Sequence, residues 1–381
     1  MQGWQTLSQN GITVRPVNGR GDFGRFIGYA YERNRADDHW IPPLRIGERE
    51  RLRPEKNPFF AHAEVQLLLA FRDGRVVGRI AAIDDRLHNQ THKENLAAFG
   101  FFEAEDADAG RALLASVEAW ARQRGRSAVR GPLNPSLNES AGLLIEGFDT
   151  DSMLLMPHNP PEYAAFVERA GYAKVKDLYA WLYDLRPGMS PDVEKIADRM
   201  RKKHRMVVRP FDLTKFAKET ARLREIYCGA WENNWGFVPP TDDEFRRLAS
   251  EMKPILDPKC AVCLEVDGRA VACAVAVPDI NQVLRGTDGR LFPLGLIRLL
   301  GRKRVIDQVR LLLLGVLPEY RSIGLFPLLI CELHKTITNN TRYVRAELSW
   351  VLEDNHDINK PVERIGAVRY KTYRIYQKAI A

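Results

Sequence analysis

Side chains that could carry a proton are concentrated in one stretch near the C-terminus, VRAELSWVLEDNH at 344–356. In a strand, successive side chains point to opposite faces, so Glu347 and Ser349 are expected to share a face. A glutamate placed in this way can act as a general base that removes a proton from a nucleophile, directly or through water. His356 can titrate near neutral pH, and Asn355 could orient a carbonyl group. A salt-bridged glutamate and a solvated loop histidine are the structural alternatives.

A second stretch, GVLPEYRSIGLFPLL at 315–329, has the pattern of an anion site. An apolar strand leads into Arg321-x-x-Gly324 and then into a predicted helix with Pro327 in its first turn. The free N–H groups and the dipole of a helix N-terminus attract phosphate. Glycine lets the backbone approach an anion closely or adopt a positive φ. The spacing therefore predicts a phosphate-binding loop.

The stretch WENNWGF at 231–237 combines aromatic and polar residues. Four-residue spacing places Trp231 and Trp235 on one face of a predicted helix, with Glu232 and Asn234 between them. Core packing fits the tryptophans, and contact with an amine fits the two polar residues.

Cys260 and Cys263 have the spacing of half a zinc site, but the sequence favours another interpretation. In a predicted strand, residues three apart point to opposite faces, and no second Cys/His pair follows at the spacing of a zinc finger. We therefore expect buried strand cysteines and no metal site.

Composition narrows the class of protein. The 381 residues are 45% hydrophobic and 28% charged, which is typical of a globular protein with two domains. No secretory signal and no apolar run of spanning length are apparent, and five cysteines favour a reducing compartment. A cytoplasmic protein is expected. Its net charge of +8 favours anionic partners, although no pattern typical of nucleic-acid modules occurs and nucleic acid is not the expected partner.

Two motifs occur twice along the chain, which predicts a duplicated domain. FRDGRVVGRIAAIDD at 71–85 matches LEVDGRAVACAVAVPD at 264–279, and FVERAGY at 166–172 matches PVERIGA at 361–367. Hairpins followed by a strand–helix–strand crossover predict a mixed α/β sheet in each repeat. The predicted domains are 1–185 and 207–381, joined by a linker helix within 186–206.

The second repeat resembles the GNAT superfamily of acyl-CoA-dependent N-acyltransferases. Its phosphate loop reads Arg/Gln-x-x-Gly-x-Gly/Ala, which Arg321 and Gly324 match. The resemblance implies two tandem GNAT-like domains, with acyl-CoA as co-substrate in the second. It implies that the pantetheine arm lies where strand 311–317 diverges from strand 343–352, and that the acceptor site is walled by the 231–235 region. The implied coenzyme contacts are Val316, Leu317, Arg321, Ser322, Ile323, Gly324, Leu325 and Phe326.

Two positions depart from the family pattern. Phe326 occupies the last small-residue position of the loop, and Val362 stands where family members commonly carry a tyrosine that protonates the leaving thiolate. Tyr370, Tyr373 or Tyr376 could replace that tyrosine, or the thiolate needs no dedicated acid.

The first repeat lacks the Arg-x-x-Gly loop. It reads FFEAEDADAG at 101–110, and carboxylates there would repel a pyrophosphate. We expect the first domain to have lost coenzyme binding.

The second repeat contains an insertion at 284–304 that the first lacks. Apolar residues alternate there with Arg290, Arg298 and a basic end, Arg302–Arg304. This mixture is typical of an element that lies on an anionic bilayer or covers an acyl chain; packing against another part of the protein is the alternative. A lipid contact would place the protein peripherally on the inner membrane face.

The predicted activity is acyl transfer from coenzyme A to a primary amine, either a small molecule or a long-chain amino lipid such as a sphingoid base. The bacterial ceramide synthases are the subgroup that this lipid hypothesis resembles. Two other functions stay open: a non-catalytic acyl-CoA-binding scaffold, and a transferase that takes its acyl group from charged tRNA.

Overall fold

The protein is described by a computed structural model that covers residues 7–9, 11–203, 206–292 and 294–380. Residues 204 and 205 of the predicted linker, and Pro293 of the insertion, lie outside the described residues. No helix in the described part is both long enough and apolar enough to cross a membrane.

The strands follow the alternation and turn signals of the sequence. Asp-Gly pairs with φ values of 50° and 77° (Asp73, Gly74) and of 51° and 79° (Asp267, Gly268) close the two repeated hairpins, as expected for tight turns that require positive φ. The strands are β1 (Leu7–Gln9), β2 (Ile12–Pro16), β3 (Ala63–Arg72), β4 (Arg75–Asp85), β5 (Leu96–Ala104), β6 (Ala128–Gly131), β7 (Leu143–Glu146), β8 (Ala173–Asp184), β9 (Met206–Pro210), β10 (Ala261–Val266), β11 (Arg269–Pro278), β12 (Gln308–Val316), β13 (Arg345–Leu352) and β14 (Val368–Ala379).

The helices begin and end at recognisable residues. Asp106 caps the start of one helix by accepting a hydrogen bond from the Ala109 N–H group, and Thr241 and Glu244 form a capping box at the start of another. The helices are α1 (Gly19–Arg33), α2 (Arg45–Arg51), α3 (Arg86–His92), α4 (Ala107–Gln123), α5 (Glu162–Arg169), α6 (Pro191–Lys203), α7 (Phe216–Trp231), α8 (Asp242–Met252), α9 (Asn281–Leu284), α10 (Leu294–Leu300), α11 (Arg302–Val305), α12 (Phe326–Asn340) and α13 (His356–Arg364).

The chain folds into two compact units. The first contains Met1–Leu178, Leu284–Ile297 and Lys371–Ala381, and the second contains Tyr179–Val283 and Arg298–Tyr370. Strands β8 and β14 each begin in one unit and end in the other. The division at 185 and 207, which follows the repeat, stays a prediction.

The first unit has the strand order β1-β2-β3-β4-β5-β6-β14. From β2 to β5, each strand is antiparallel to the next, whereas β6 is parallel to β5 and β14 is antiparallel to β6. Helix α4 connects the two parallel strands and buries Leu113, Leu114, Val117 and Trp120 in the core of this unit, as their helical spacing predicts.

The second unit repeats this pattern with the order β9-β10-β11-β12-β13. β10 and β11 form the hairpin, β12 is antiparallel to β11, and β13 is parallel to β12. Helix α12 makes the crossover and buries Leu328, Leu329 and Cys331. The same order of elements in both units confirms the predicted mixed α/β fold.

Candidate acyl-transfer site

A cavity opens in the second unit where two parallel strands separate. β12 pairs with β13 only from Gln308 to Leu311, opposite Arg345 to Leu348. Beyond these positions lies a cavity of about 520 Å³. The divergence expected between these strands is therefore present. The apolar walls of the cavity include Leu311, Leu314, Leu348, Val351, Leu352, Ile358 and Val362.

A bulge in β12 lies beside this opening. The register with β11 passes from Leu313 to Leu311, so Leu312 has no counterpart on β11, and it lines the cavity. A bulge aims backbone groups away from the regular ladder. Polar main-chain groups can therefore face a ligand between the strands.

The predicted phosphate loop folds as a short 3₁₀ helix, Pro318–Ile323, followed by Gly324 and helix α12. Gly324 has a φ of 75°, in the left-handed region, and an added Cβ there would meet no atom within 4 Å. Pro327 lies in the first turn of α12, where its missing N–H group costs no helical hydrogen bond. The glycine turn thus leaves open space in front of the helix N-terminus.

Of the eight residues implied to contact the coenzyme, five line the cavity and three do not. Val316, Arg321, Gly324, Leu325 and Phe326 line the cavity. Leu317 is buried in the core, and Ser322 and Ile323 lie in the 3₁₀ helix. The role of all eight in coenzyme binding stays a prediction.

The Arg321 side chain is engaged by protein groups. It donates hydrogen bonds to the carbonyl oxygens of Ala230 at 2.8 Å and Gly229 at 3.3 Å. These are among the last carbonyl groups of α7, which lack helical partners of their own. Arg321 therefore fixes the end of α7 beside the cavity.

The expectation that Trp231 and Trp235 share a helical face is wrong. Helix α7 ends at Trp231, and the chain then turns through Asn233 and Asn234 to Gly236, which has a φ of 69°. Asparagine and glycine are poor helix formers. Trp231 and Asn234 line the cavity, and Trp231 packs against Tyr227 at a ring distance of 4.8 Å.

The lack of a side chain at Gly315 allows the close approach of α7 to β12. A Cβ at this position would lie 2.8 Å from the Trp231 ring and 3.0 Å from Ala230 Cβ. The absence of a side chain lets Trp231 reach the cavity wall.

Glu347 lies at the centre of a buried polar network on β13. Its side chain is completely buried. Ser349 Oγ donates a hydrogen bond to Glu347 Oε1, and the Tyr370 hydroxyl donates one to Oε2. Arg310 Nε lies 3.6 Å from Oε1 and donates to Ser349 Oγ at 2.8 Å. Buried charges are tolerated when they are paired and hydrogen-bonded in this way.

The prediction that Glu347 and Ser349 share a face is confirmed. The sequence analysis did not identify Tyr370 and Arg310 as further members of this network. Tyr370 was named only as a substitute acid. Arg310 was missed, although an arginine inside the apolar run VRLLLLGV is a recognisable signal of a buried ion pair. Ser349 also lines the cavity, so a residue bonded to Glu347 borders the open space.

Asn355 and His356 lie at the start of α13 but line different cavities. Asn355, the N-cap residue, lines the cavity. His356 is exposed and lines a different, open cavity of about 650 Å³ together with Glu363 and Arg369. Glu232 is likewise exposed, and the Asn233 side chain contacts it at 3.4 Å.

The other candidate tyrosines lie in the first unit. Tyr373 is completely buried, and the Tyr376 hydroxyl donates to Glu168 at 3.1 Å. Val362 is completely buried and lines the cavity. Of the three tyrosines considered, Tyr370 is the one that contacts Glu347.

The cysteines form no ligand cluster. The expectation that both cysteines lie in a strand is wrong for Cys260, which ends a 3₁₀ helix directly before β10. Cys263 lies in β10, and its Sγ is 2.7 Å from Cys273 Sγ on the neighbouring strand. Burial raises the pKa of Cys273 well above its usual range, which keeps the thiol protonated. Among the described residues, no group of three or more His, Cys, Asp or Glu side chains could hold a metal ion.

The equivalent opening in the first unit is filled by its own chain. β5 pairs with β6 from Leu96 to Ala98, after which the Leu133 N–H group donates to the Phe99 carbonyl at 2.8 Å. The Phe101 N–H group donates to Asn134 Oδ1 at 2.6 Å. At Gly100, an added Cβ would lie only 1.7 Å from the Leu133 carbonyl oxygen.

The helix that follows β5 is capped by a carboxylate. Asp106 accepts from the Ala109 N–H group at 2.9 Å and pairs with Arg72 at 2.8 Å. An acidic side chain thus holds the position at which a bound phosphate would accept the same N–H group.

Comparison with solved structures identifies the fold. A tandem GNAT protein from the clavulanic acid biosynthesis pathway superimposes with a TM-score of 0.56 at 13% identity, covering 97% of this chain and 99% of that one. A GCN5-related N-acetyltransferase from Anabaena variabilis gives a TM-score of 0.51 at 8% identity, over 97% of this chain and 73% of that one. The fold is that of the tandem GNAT N-acyltransferases.

Sequence comparison identifies the family. No family model matches the chain. A protein named bacterial ceramide synthase, from Caulobacter vibrioides, is 38% identical over 379 residues, which cover 97% of this chain and 98% of that protein. YghO from Escherichia coli is 37% identical over 383 residues, covering 98% and 97%. The chain belongs to the family of these two proteins, and the predicted class of GNAT-fold N-acyltransferase is confirmed.

Proposed function

We propose that this protein transfers an acyl group from an acyl-CoA thioester to the primary amine of a long-chain amino lipid, giving a ceramide-type product. The observation that carries the proposal is the apolar opening between β12 and β13, which runs from the Gly324 turn to Ser349 of the buried Glu347 network.

The Gly324 turn is suited to the coenzyme pyrophosphate. The 15-residue helix α12 begins two residues after Gly324, and its first N–H groups and dipole favour an anion. Arg321 supports this position indirectly, because its guanidinium group is bonded to the end of α7. Between the separated strands, backbone groups near the Leu312 bulge can hydrogen-bond the amides of the pantetheine arm.

The Glu347 network is suited to receive the proton of the amine. The amine nitrogen attacks the thioester carbonyl carbon, a C–N bond forms and the C–S bond breaks. The amine proton passes to the Ser349 hydroxyl group, which passes its own proton to Glu347. The coenzyme leaves as a thiolate, which needs no dedicated acid because an ordinary thiol has a pKa of about 8.5. Arg310 holds Ser349 in place.

The nature of the acceptor is proposed from two observations. Half of the residues that line the cavity are aliphatic, and each buried methylene group of a lipid chain contributes about 0.8 kcal/mol to binding. A relative 38% identical over nearly the whole chain carries the name bacterial ceramide synthase. We place this reaction in the cytoplasm, at the inner face of the membrane where an amino lipid is available.

The test is direct detection of the product. Purified protein is incubated with palmitoyl-CoA and either sphinganine or a short water-soluble amine, and N-acylated products are identified by mass spectrometry. The proposal predicts N-palmitoyl sphinganine and a release of free coenzyme A equal to the amide formed. Product with the short amine alone would contradict the lipid acceptor. Binding of palmitoyl-CoA without product from either amine would favour a scaffold, and co-purifying RNA with no acyl-CoA binding would favour a tRNA-dependent transferase.

A further inference from the structure

The segment 290–305 displays an unusual amount of apolar side chain. It contains α10 and α11, and Phe292 and Leu300 are 79% and 76% exposed. Leu296, Ile297 and Val305 are also exposed. Among the described residues, the other exposed large hydrophobic side chains, Ile46, Ile196, Val207 and Val368, lie far apart in sequence. Clustering of such side chains marks an interaction surface, whereas isolated ones are ordinary.

The charge of the same segment has one sign. From 290 to 305 the sequence has five basic residues and no acidic one. Arg290, Arg298 and Arg304 are exposed. Arg290 also pairs with Asp288 at 3.7 Å. A partner that covers this surface should therefore offer both an apolar region and negative charge, which describes an anionic lipid bilayer at its headgroup level.

Hydrogen bonds anchor parts of this segment on either side of α10. The Leu296 N–H group donates to the Leu291 carbonyl, and Arg302 donates to the Pro254 carbonyl at 3.1 Å. At Gly295, an added Cβ would lie 2.6 Å from the Arg290 carbonyl oxygen. The apolar side chains are thus presented by an anchored element.

We propose that the segment 290–305 docks the protein on anionic lipid bilayers, inserting Phe292, Ile297 and Leu300 below the headgroups while the arginines contact lipid phosphates. This surface would bring the enzyme to a membrane-embedded amine. In that respect the inference rests on the proposed function, but binding to a bilayer can be measured without substrate or turnover.

The experiment is vesicle co-sedimentation of the full chain. Vesicles of phosphatidylcholine alone are compared with vesicles containing 30% phosphatidylglycerol, each at low and high salt. We expect binding to the anionic vesicles only, weakened by salt because screening reduces the attraction of arginine to phosphate. Ile297→Glu should lower the bound fraction at least about tenfold, since it removes an inserted side chain and adds a repelled charge.

Ile46→Glu is the matched control. Ile46 and Ile297 are 61% and 64% exposed, but Ile46 lies outside the segment, on α2, which contains both arginines and glutamates. Equal loss of vesicle binding in both variants, or no loss in Ile297→Glu, would overturn the proposal. A concentration-dependent dimer in wild type that Ile297→Glu dissociates, with no vesicle binding, would assign the surface to a second copy of the chain.

Acyl transfer to detergent-solubilised sphinganine separates this inference from the function. If Ile297→Glu keeps that activity but loses vesicle binding, the docking surface is supported. If wild type binds vesicles but acylates no amine, the surface stands and the proposed reaction fails.

Discussion

Ser349 lines the cavity between β12 and β13 while its hydroxyl group donates a hydrogen bond to the completely buried Glu347. A carboxylate without solvent contact cannot meet a substrate amine directly. The serine hydroxyl group, which both donates and accepts, is the natural link between them. In the proposed reaction, this relationship assigns proton storage to Glu347 and contact with the substrate to Ser349.

Replacing Glu347 by glutamine should abolish proton acceptance with little change in shape. We expect kcat to fall about 10²- to 10⁴-fold, with the affinity for acyl-CoA retained because the proposed coenzyme loop is untouched. Steady-state kinetics and direct acyl-CoA binding measure the two effects. Glu363→Gln, on the exposed side of α13, is the control and should keep wild-type rates; an active Glu347→Gln variant would exclude the carboxylate as base.

Removing the Ser349 hydroxyl group should interrupt the link to Glu347. Ser349→Ala should lower kcat without raising KM for acyl-CoA, and it should change the pH dependence of kcat because proton transfer no longer follows the same route. Ser349→Thr, which restores a hydroxyl group, should recover part of the rate. A purely structural role would instead give loss of stability in the alanine variant with an unchanged pH profile.

Substitutions of the adjacent residues Asn355 and His356 test which of the two contributes to acyl transfer. Asn355 lines the cavity and His356 lines a different one. We therefore expect Asn355→Ala to impair acyl transfer and His356→Ala to leave its rate within about twofold, as is usual for surface substitutions. Initial rates at saturating acyl-CoA decide the matter, and a His356→Ala variant that loses activity while remaining folded would contradict this placement.

Acidification should destabilise the fold through buried histidines. Burial lowers the pKa of His158, and the Asp37 carboxylate at 2.8 Å offsets this only in part. The unfolded chain therefore takes up the proton first, so stability is retained above the unfolded pKa of about 6.5 and is lost as the pH falls below it. Urea unfolding between pH 8 and 5.5 should show this loss.

His158→Gln should reduce that pH dependence. Part of the slope should remain in His158→Gln, because burial also lowers the pKa of His88 and His334. Identical slopes in wild type and His158→Gln would refute the assignment.

The parts of the site that follow from local patterns were predictable from the sequence. Alternation along β13 gave the shared face of Glu347 and Ser349, and a glycine between an apolar strand and a helix gave the turn at Gly324. The repeated hairpin and helix motifs predicted the duplicated fold, because each motif consists of residues that are adjacent in the sequence.

The parts that depend on distant segments were not predictable. The ion pair of Arg310 with Glu347 requires the register between β12 and β13, and the contact of Tyr370 with Glu347 joins residues of two different strands. In the first unit, closure by Leu133 and Asn134 depends on a loop that returns over β5. The prediction for Trp231 and Trp235 was wrong because α7 ends at Trp231 and does not continue to Trp235.

The central claim, that the second unit holds acyl-CoA at the Gly324 turn, is tested most directly by titrating palmitoyl-CoA into wild type, Gly324→Glu and Gly366→Glu. Both glycines have positive φ, 75° and 92°, and open space at the Cβ position, so both variants place a side chain at a positive φ and add the same charge. We predict that Gly366→Glu binds like wild type and that Gly324→Glu binds at least about tenfold more weakly, because a carboxylate then competes with the pyrophosphate at the helix N-terminus. Equal affinity in all three proteins would contradict the claim.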